Sequence, residues 1–250
     1  MNEFVAKTLL SGLLILLNVE KIICRFDVCV VCMIFENILA HPNKGVLCMN
    51  VYPKIKRIID AVTACITLIL IWPLFLILAI LIKLDSPGPV FFMQKRVGKD
   101  KKNFYILKFR TMRTDTPKNM PTHMLDNPEA YITSIGKVLR KTSLDELPQI
   151  VNIIKGEMSI VGPRPALWNQ YDLISERDKY GANNIYPGLT GWAQINGRDE
   201  VPIDVKAKLD GEYVKRMSFS FDLKIFLKTV FSVLKSEGVK EGKTGIKARV

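Results

Sequence analysis

The chain has 250 residues, enough for one domain with a substantial core, and carries a formal net charge of +12 with 48% hydrophobic residues. Such a basic balance suits a nucleic-acid binder, yet no DNA- or RNA-binding motif occurs. A positive mean hydropathy and one long uncharged apolar run point instead to an anionic membrane surface and phosphorylated substrates. A P-loop, a dinucleotide fingerprint, internal repeats and low-complexity segments are all absent from the sequence.

Residues 1–48 hold four of the five cysteines (Cys24, Cys29, Cys32 and Cys48) and two apolar stretches, Leu9 to Leu17 and Val28 to Phe35. Glu20, Lys21, Arg25 and Asp27 keep the stretches from joining into one span. Cys29-x-x-Cys32 has metal-ligand spacing but no second pair to complete a site. The segment reads as an N-terminal extension, either upstream sequence ahead of a natural start at Met49 or a weak membrane anchor. No small-residue cleavage site marks a secretory signal, and the free cysteines suit a reducing compartment.

Ala61 to Ile82 contains no charged residue and is long enough to cross a bilayer core, which takes about 20 residues. Lys54, Lys56 and Arg57 precede it, and Lys83, Lys95, Arg96, Lys99, Lys101 and Lys102 follow. Because lysine and arginine favour the cytoplasmic side, both ends call for the same face of the membrane. Pro73, near the middle, removes a helical hydrogen bond and can turn the run back on itself. The sequence therefore predicts a re-entrant helix–break–helix over residues 49–83, with a kinked spanning helix as the rival.

Residues 84–250 read as one catalytic domain. Val90 to Phe92 and Phe104 to Lys108 are predicted strands around a turn at Gly98 to Lys102. Met112 to Pro128 is polar and proline-punctuated, a surface loop placed to cover a site. The run Arg140-Lys141-Thr142-Ser143-Leu144-Asp145-Glu146-Leu147-Pro148 is the most informative in the chain. Two adjacent carboxylates lie in a basic segment, and Gly162-Pro163-Arg164-Pro165 follows one helix later. Such a set can bind a diphosphate and attack it: a carboxylate can be a nucleophile toward phosphorus, while arginine and lysine neutralise the phosphoryl oxygens. Taken alone, the segment reads equally as a helix start. Ser143-x-x-Glu146 fits a capping box, whereas Pro148 favours a start nearer Asp145, and Gly156 stops the helix predicted over Asp145–Lys155.

Ser159 to Val161 is expected to lead as a strand into the Arg164 turn, whose two prolines fix the backbone of an arginine suited to hold phosphate. Gly188, Gly191 and Gly197 around Trp192 form either a nucleotide-holding loop or a folded connector. Near the C-terminus Leu223, Phe226, Leu227, Val230, Phe231 and Leu234 make a wide apolar helical stripe. Lys224, Lys228 and Lys235 border it, as in helices that lie at a membrane interface, although a core-facing stripe has the same pattern. Together the elements read as an α+β fold: a membrane re-entrant helix hairpin plus a small cytoplasmic catalytic domain with amphipathic interfacial helices.

Seven motifs in order carry a resemblance over roughly residues 49 to 240: Lys56-Arg57-Ile58-Ile59-Asp60, Ser86 to Phe92, Gln94 to Gly98, Lys108 to Met112, Ser143 to Pro148, Gly162 to Pro165, and Pro187 to Arg198. In this the chain closely resembles the bacterial sugar transferase family, monotopic polyprenyl-phosphate phosphoglycosyl transferases that start capsule, exopolysaccharide and glycoprotein glycan assembly. The family's usual Ser-Pro break is Trp72-Pro73 here. The resemblance implies transfer of a sugar 1-phosphate from a UDP-sugar to undecaprenyl phosphate with release of UMP. It implies Asp145 as the nucleophile and Glu146 as its helper through proton transfer or positioning. Arg164 is then the leading phosphate clamp, with Lys108, Arg110 and Arg140 as further candidates. Trp192, Gln194, Asn196 and Arg198 are candidates for nucleotide and sugar binding. Mg²⁺ would bridge the diphosphate and Asp145. The implied setting is the cytoplasmic leaflet of a bacterial inner membrane, with a homodimer and downstream glycosyltransferases as expected partners and no nucleic acid. The rival class is a catalytically inert membrane adaptor of a glycan assembly complex, against which the intact Asp145-Glu146 pair argues.

Overall fold

The computed structural model describes residues 47–116, 128–197 and 201–234. The chain divides into two compact units, Met1–Ile58 and Ile59–Val250. The first is described only from Leu47 onward, as helix; the two short apolar stretches and the Cys29–Cys32 pair lie outside the described residues, as do residues 117–127 of the expected covering loop.

Helix α1 runs Leu47–Asp85 without interruption. A break in the helix at Pro73, expected from the sequence, does not occur as a loss of helical structure. A proline costs one backbone bond and tilts the axis, and a helix this apolar keeps its remaining bonds rather than expose them. Among the described residues α1 is the helix long and apolar enough to cross a membrane, over Tyr52–Asp85. Ala61, Ala64 and Leu68, then Leu78 and Ile82, recur at helical spacing and are buried, while Val62, Ile66, Ile69, Leu70, Trp72 and Ile77 are exposed.

Strands β1 (Phe91–Val97) and β2 (Asn103–Phe109) form an antiparallel hairpin pairing Phe91 with Phe109 and Arg96 with Phe104. The first strand is longer than expected, because Gln94-Lys95-Arg96 continues the pairing rather than forming a loop. Phe109 sits in a cluster with Leu78, Ile82 and Leu139, and the rings of Phe75 and Phe91 lie 5.1 and 5.5 Å from its own. One aromatic residue thus joins the end of α1, the hairpin and helix α2 (Ser134–Thr142). Helix α2 is capped by the Thr133 side chain, which accepts from the Gly136 N–H, and by Asp85 of α1, which accepts from the Ile135 N–H at 3.0 Å.

A 3₁₀ turn over Leu144–Glu146 and helix α3 (Gln149–Lys155) follow. Pro148 falls at the junction, where its missing N–H costs nothing. The capping box does not form: Ser143 is left-handed (φ 57°), closes α2 with its backbone N–H, and makes no side-chain cap. Gly156 ends α3 at φ 90°, as expected.

Strand β3 (Ser159–Val161) pairs in parallel with β4 (Gly188–Thr190). A Cβ at Gly188 would come within 2.1 Å of the Gly162 nitrogen, so this close approach requires glycine. Helix α4 (Tyr171–Asp178) packs on α5 (Ile203–Arg216), which meets this second sheet through Tyr213, and α6 (Phe219–Leu234) packs against both of its strands. Arg177 and Asp210 form a buried ion pair at 2.6 Å between α4 and α5. On α6 it is Phe221, Asp222 and Ile225 that face the core, so the predicted stripe of Leu223, Phe226, Leu227, Val230 and Phe231 points outward. The described residues form helices and two small two-stranded sheets, an α+β composition.

The Tyr213 hydroxyl is buried between the Val161 carbonyl (3.0 Å) and Asp222 Oδ1 (2.8 Å), tying α5 to β3 and α6. The hydroxyl has one proton, and the Asp222 carboxylate is the closer and stronger acceptor. Tyr213→Phe removes that donor and should cost about 1–3 kcal/mol of stability, visible as a lowered melting temperature in detergent; an unchanged melting temperature would show that water replaces the hydroxyl.

Candidate active site

Three segments distant in sequence meet at Glu146. The 3₁₀ turn presents its carboxylate, the end of β2 brings Lys108, and the turn after β3 brings Arg164. Lys108 Nζ donates to Glu146 Oε1 at 2.7 Å. Arg164 spans both oxygens, one nitrogen to Oε1 at 2.7 Å and the other to Oε2 at 3.3 Å, which is the two-pronged grip that a planar guanidinium allows. Burial works to raise the Glu146 pKa, but Arg164 and Lys108 outweigh it, and the carboxyl is held far below its ordinary range. The fold thus favours the ionised form of Glu146.

Asp145 has the opposite environment. No side-chain hydrogen bond reaches its carboxylate among the described residues, and burial raises its pKa above 3.8; Lys108 opposes that rise, the Glu146 charge adds to it, and Arg140 and Arg164 oppose it more weakly. Adjacent carboxylates are thus split into one fixed anion that organises cations and one unengaged, more basic carboxylate beside them. Environments that push paired carboxyls apart are typical of sites with divided chemical roles.

Of the residues singled out in the sequence, the fold gathers Asp145, Glu146, Lys108 and Arg164 at one place. Arg140 also faces it: its field lowers the Asp145 pKa, and its Nε donates to Thr111 Oγ1 at 3.1 Å. Arg110 is turned elsewhere. Its guanidinium, only 5% exposed, donates to the carbonyls of Pro87 (2.8 Å), Ser86 (2.6 Å) and Ile82 (3.3 Å). It thereby satisfies carbonyls at the C-terminal end of α1, a cation's favoured place on a helix. Alternation alone does not separate Lys108 from Arg110, which are two residues apart, and the Arg110 N–H still donates to the Val90 carbonyl at 2.8 Å. What differs is the neighbour each side chain meets, Glu146 for Lys108 and the Ile82, Ser86 and Pro87 carbonyls for Arg110.

The side chains of Trp192, Gln194 and Asn196 make their hydrogen bonds elsewhere than at Glu146. Gly188–Thr190 is strand β4, and Trp192–Ile195 is a single helical turn. The indole packs 5.0 Å from the Phe221 ring and donates to Glu212 Oε2 at 3.1 Å, with the Arg216 and Lys228 cations over its face. Gln194 Nε2 donates to the Leu189 carbonyl and Asn196 Nδ2 to that of Trp192. These contacts are internal to the region around β4 and α6; Arg198 lies outside the described residues.

Sequence reasoning assigned no role to Arg96, which steadies the Arg164 turn. Its guanidinium donates to the Pro165 carbonyl at 3.1 Å, and the Val97 N–H donates to the Ala166 carbonyl at 2.9 Å. The Gln94-Lys95-Arg96 motif was visible, but only the fold brings β1 alongside the turn. Gln149, one helical turn beyond Asp145, is 1% exposed and its Nε2 finds no partner. No cluster of three or more His, Cys, Asp or Glu occurs among the described residues, so an all-protein metal cage is absent there. The unengaged Asp145 carboxylate does suit a hard cation that takes one carboxylate and completes its shell with water and substrate phosphate oxygens.

Residues 51–236 match the bacterial sugar transferase family. The chain is 42% identical over 191 residues to the sugar transferase EpsL of Bacillus subtilis, covering 75% of this chain and 91% of the relative. It is 39% identical over 197 residues to the exopolysaccharide production protein ExoY of Rhizobium meliloti, 73% of this chain and 87% of that one. It is also 39% identical over 192 residues to the UDP-glucose:undecaprenyl-phosphate glucose-1-phosphate transferase of Xanthomonas campestris; there it covers 74% of this chain but only 40% of the longer relative.

Lys108 contributes the largest opposition to the rise in the Asp145 pKa. Lys108→Met should therefore move the Asp145 titration midpoint further upward, measured by NMR of ¹³C-labelled aspartate carboxyls; an unmoved midpoint would mean that the lysine field does not reach Asp145.

Proposed function

Because the chain belongs to the bacterial sugar transferase family and is a transferase of that kind, we propose that it moves a sugar 1-phosphate from a UDP-sugar to undecaprenyl phosphate, releasing UMP. The relatives named for such an activity support the lipid acceptor and the nucleotide-sugar donor, and they differ in the sugar, glucose in one and N-acetylgalactosamine in another. The observation that carries the chemistry is the unengaged Asp145 carboxylate beside Lys108, Arg140 and Arg164.

In this reading Asp145 Oδ attacks the β-phosphorus of the bound UDP-sugar. The bond from that phosphorus to the bridging oxygen breaks, and the electron pair leaves with UMP. The sugar phosphate is then joined to the aspartyl oxygen as a mixed anhydride. An oxygen of the lipid phosphate attacks the same phosphorus, and Asp145 leaves as carboxylate. The acceptor is already an anion, so the second step needs no general base. That fits Glu146, whose oxygens are engaged by Lys108 and Arg164 and whose pKa is lowered by them, as suits a carboxylate that holds those cations in place. The two cations neutralise charge on the transferring phosphoryl group as Glu146 yields part of their hydrogen bonding to it. Mg²⁺, held by Asp145 and the diphosphate oxygens, would further neutralise the leaving phosphate.

The membrane setting follows from α1 and α6. Asp60, just before the apolar run, bonds Ser159, and Ile82 at its other end bonds Arg110. Both attachments are to the same folded unit, which supports entry and exit of the run on one face of the bilayer, bent at Pro73, rather than a crossing. The basic residues at both flanks support the cytoplasmic face. The outward stripe of α6, with exposed Lys224 and Lys228 beside it, supports a second contact at the headgroup level. Such seating brings a soluble nucleotide sugar and a lipid headgroup to one interfacial site.

Asp145→Asn should abolish UMP release from UDP-sugar and undecaprenyl phosphate while leaving membrane association unchanged; substantial residual release would defeat the covalent step. Arg164→Lys keeps the charge but loses the two-pronged grip, and should lower kcat/KM by about tenfold or more. Near-wild-type kinetics in that variant would show that the fork is not needed. For topology, single cysteines near Lys54 and near Lys99 should label alike with an impermeant reagent in intact cells; labelling of one end only would establish a crossing.

A further inference from the structure

Asp60 is a carboxylate on the buried face of α1, preceded there by buried Lys56 and followed by buried Ala61, Ala64 and Leu68, and only 3% of it is exposed. A charge so placed is costly unless it is hydrogen-bonded. Ser159 Oγ, itself 2% exposed, donates to Asp60 Oδ2 at 2.6 Å. The hydroxyl also lies 3.0 Å from the Val161 carbonyl, but it has one proton, and the carboxylate is both closer and the stronger acceptor. Ser159 opens β3, and its backbone N–H is fixed to the Pro187 carbonyl at 2.8 Å. Beyond it the chain has little slack. Val161 is paired with Thr190, the Gly162 N–H donates to the Thr190 carbonyl at 2.8 Å, and Pro163 and Pro165 frame Arg164. A displacement of Ser159 is therefore carried to the guanidinium that grips Glu146.

We propose that Asp60 is a positioning residue: through its bond to Ser159, the membrane-facing helix sets strand β3 and with it Arg164 on Glu146. The inference rests on the transferase reading of the Asp145–Glu146 site for its effect on rate, and on geometry alone for its effect on the strand. It gives the Lys56-Arg57-Ile58-Ile59-Asp60 motif a task that the chemistry leaves unassigned.

The test uses the full chain in phospholipid nanodiscs, with Asp60→Leu, Ser159→Ala, the pair combined, and Asp60→Asn, which keeps an accepting oxygen. UMP release is followed with a panel of UDP-sugars and undecaprenyl phosphate, alongside melting temperature and hydrogen exchange over residues 159–164 and 103–109. Asp60→Leu and Ser159→Ala should each lower kcat by about tenfold with KM little changed, and the pair should lose no more than the worse single variant. Asp60→Asn should recover most of the rate, and exchange should quicken over 159–164 alone. Full kcat in Asp60→Leu, additive losses in the pair, or faster exchange over both segments with a matching fall in melting temperature would each overturn the proposal. If the wild-type protein releases no UMP from any UDP-sugar, the transferase reading fails by itself. The exchange data then still decide the strut, which unchanged protection over 159–164 in Asp60→Leu would refute.

Discussion

Two cations and one carboxylate hold the site together. Glu146 receives Lys108 from the end of β2 and Arg164 from the turn after β3, so three segments that are remote in the chain are joined at one pair of oxygens. Each member would be unfavourable alone, since a partly buried carboxylate needs donors and two neighbouring cations repel. Together they are mutually satisfied, and removing any one leaves the others exposed to that cost. The same arrangement leaves Asp145 with no hydrogen bond among the described residues, but within the field of Lys108, Arg140 and Arg164. The contrast follows from its neighbour's engagement: Glu146 takes the side-chain hydrogen bonds of Lys108 and Arg164, and the Asp145 carboxylate receives none among the described residues.

The long helix is attached to this arrangement at both ends of its apolar run. At the far end Arg110 gathers the carbonyls of Ile82, Ser86 and Pro87, while Asp85 caps α2, the helix that leads into the Asp145–Glu146 turn. A guanidinium suits this task because its five donors form a rigid fork, which a lysine could not replace. Burial lowers the Arg110 pKa and Asp85 works to restore it, a local balance that keeps the cation in place. At the near end stands the Asp60–Ser159 bond. An apolar helix at a lipid surface has no hydrophobic reason to keep one orientation against a protein domain, whereas paired polar groups impose one.

Particular residues show what a linear pattern reveals and what it leaves open. The spacing of apolar residues located α1, α3, β3 and the stripe on α6, because periodicity depends only on which side chains share a face. It did not tell which way the α6 stripe points, since a core face and a lipid face have the same chemistry; packing of Phe221 and Ile225 against Tyr213 and Val161 settled that by turning the stripe outward. Likewise Gly188, Gly191 and Gly197 announced tight backbone, and the fold used it for a strand and a turn that seat Trp192 against Phe221. Ser143-x-x-Glu146 matched a capping box in letters, yet Glu146 found two cations, and a charged pair of that kind outweighs a bond to one backbone N–H.

By itself the sequence determined the family, the α+β class, the apolar helix with its basic flanks, and the identity of the paired carboxylates, because these depend on residue type and order. Which cation serves the site was decided only in three dimensions. Lys108 and Arg110 are two residues apart and equally basic on paper, but the fold places Glu146 beside the first and the carbonyls at the end of α1 beside the second. The split between Asp145 and Glu146 was decided in the same way. Adjacent, chemically similar carboxyls acquire opposite pKa shifts here because the fold buries both but delivers hydrogen-bonding cations to only one of them.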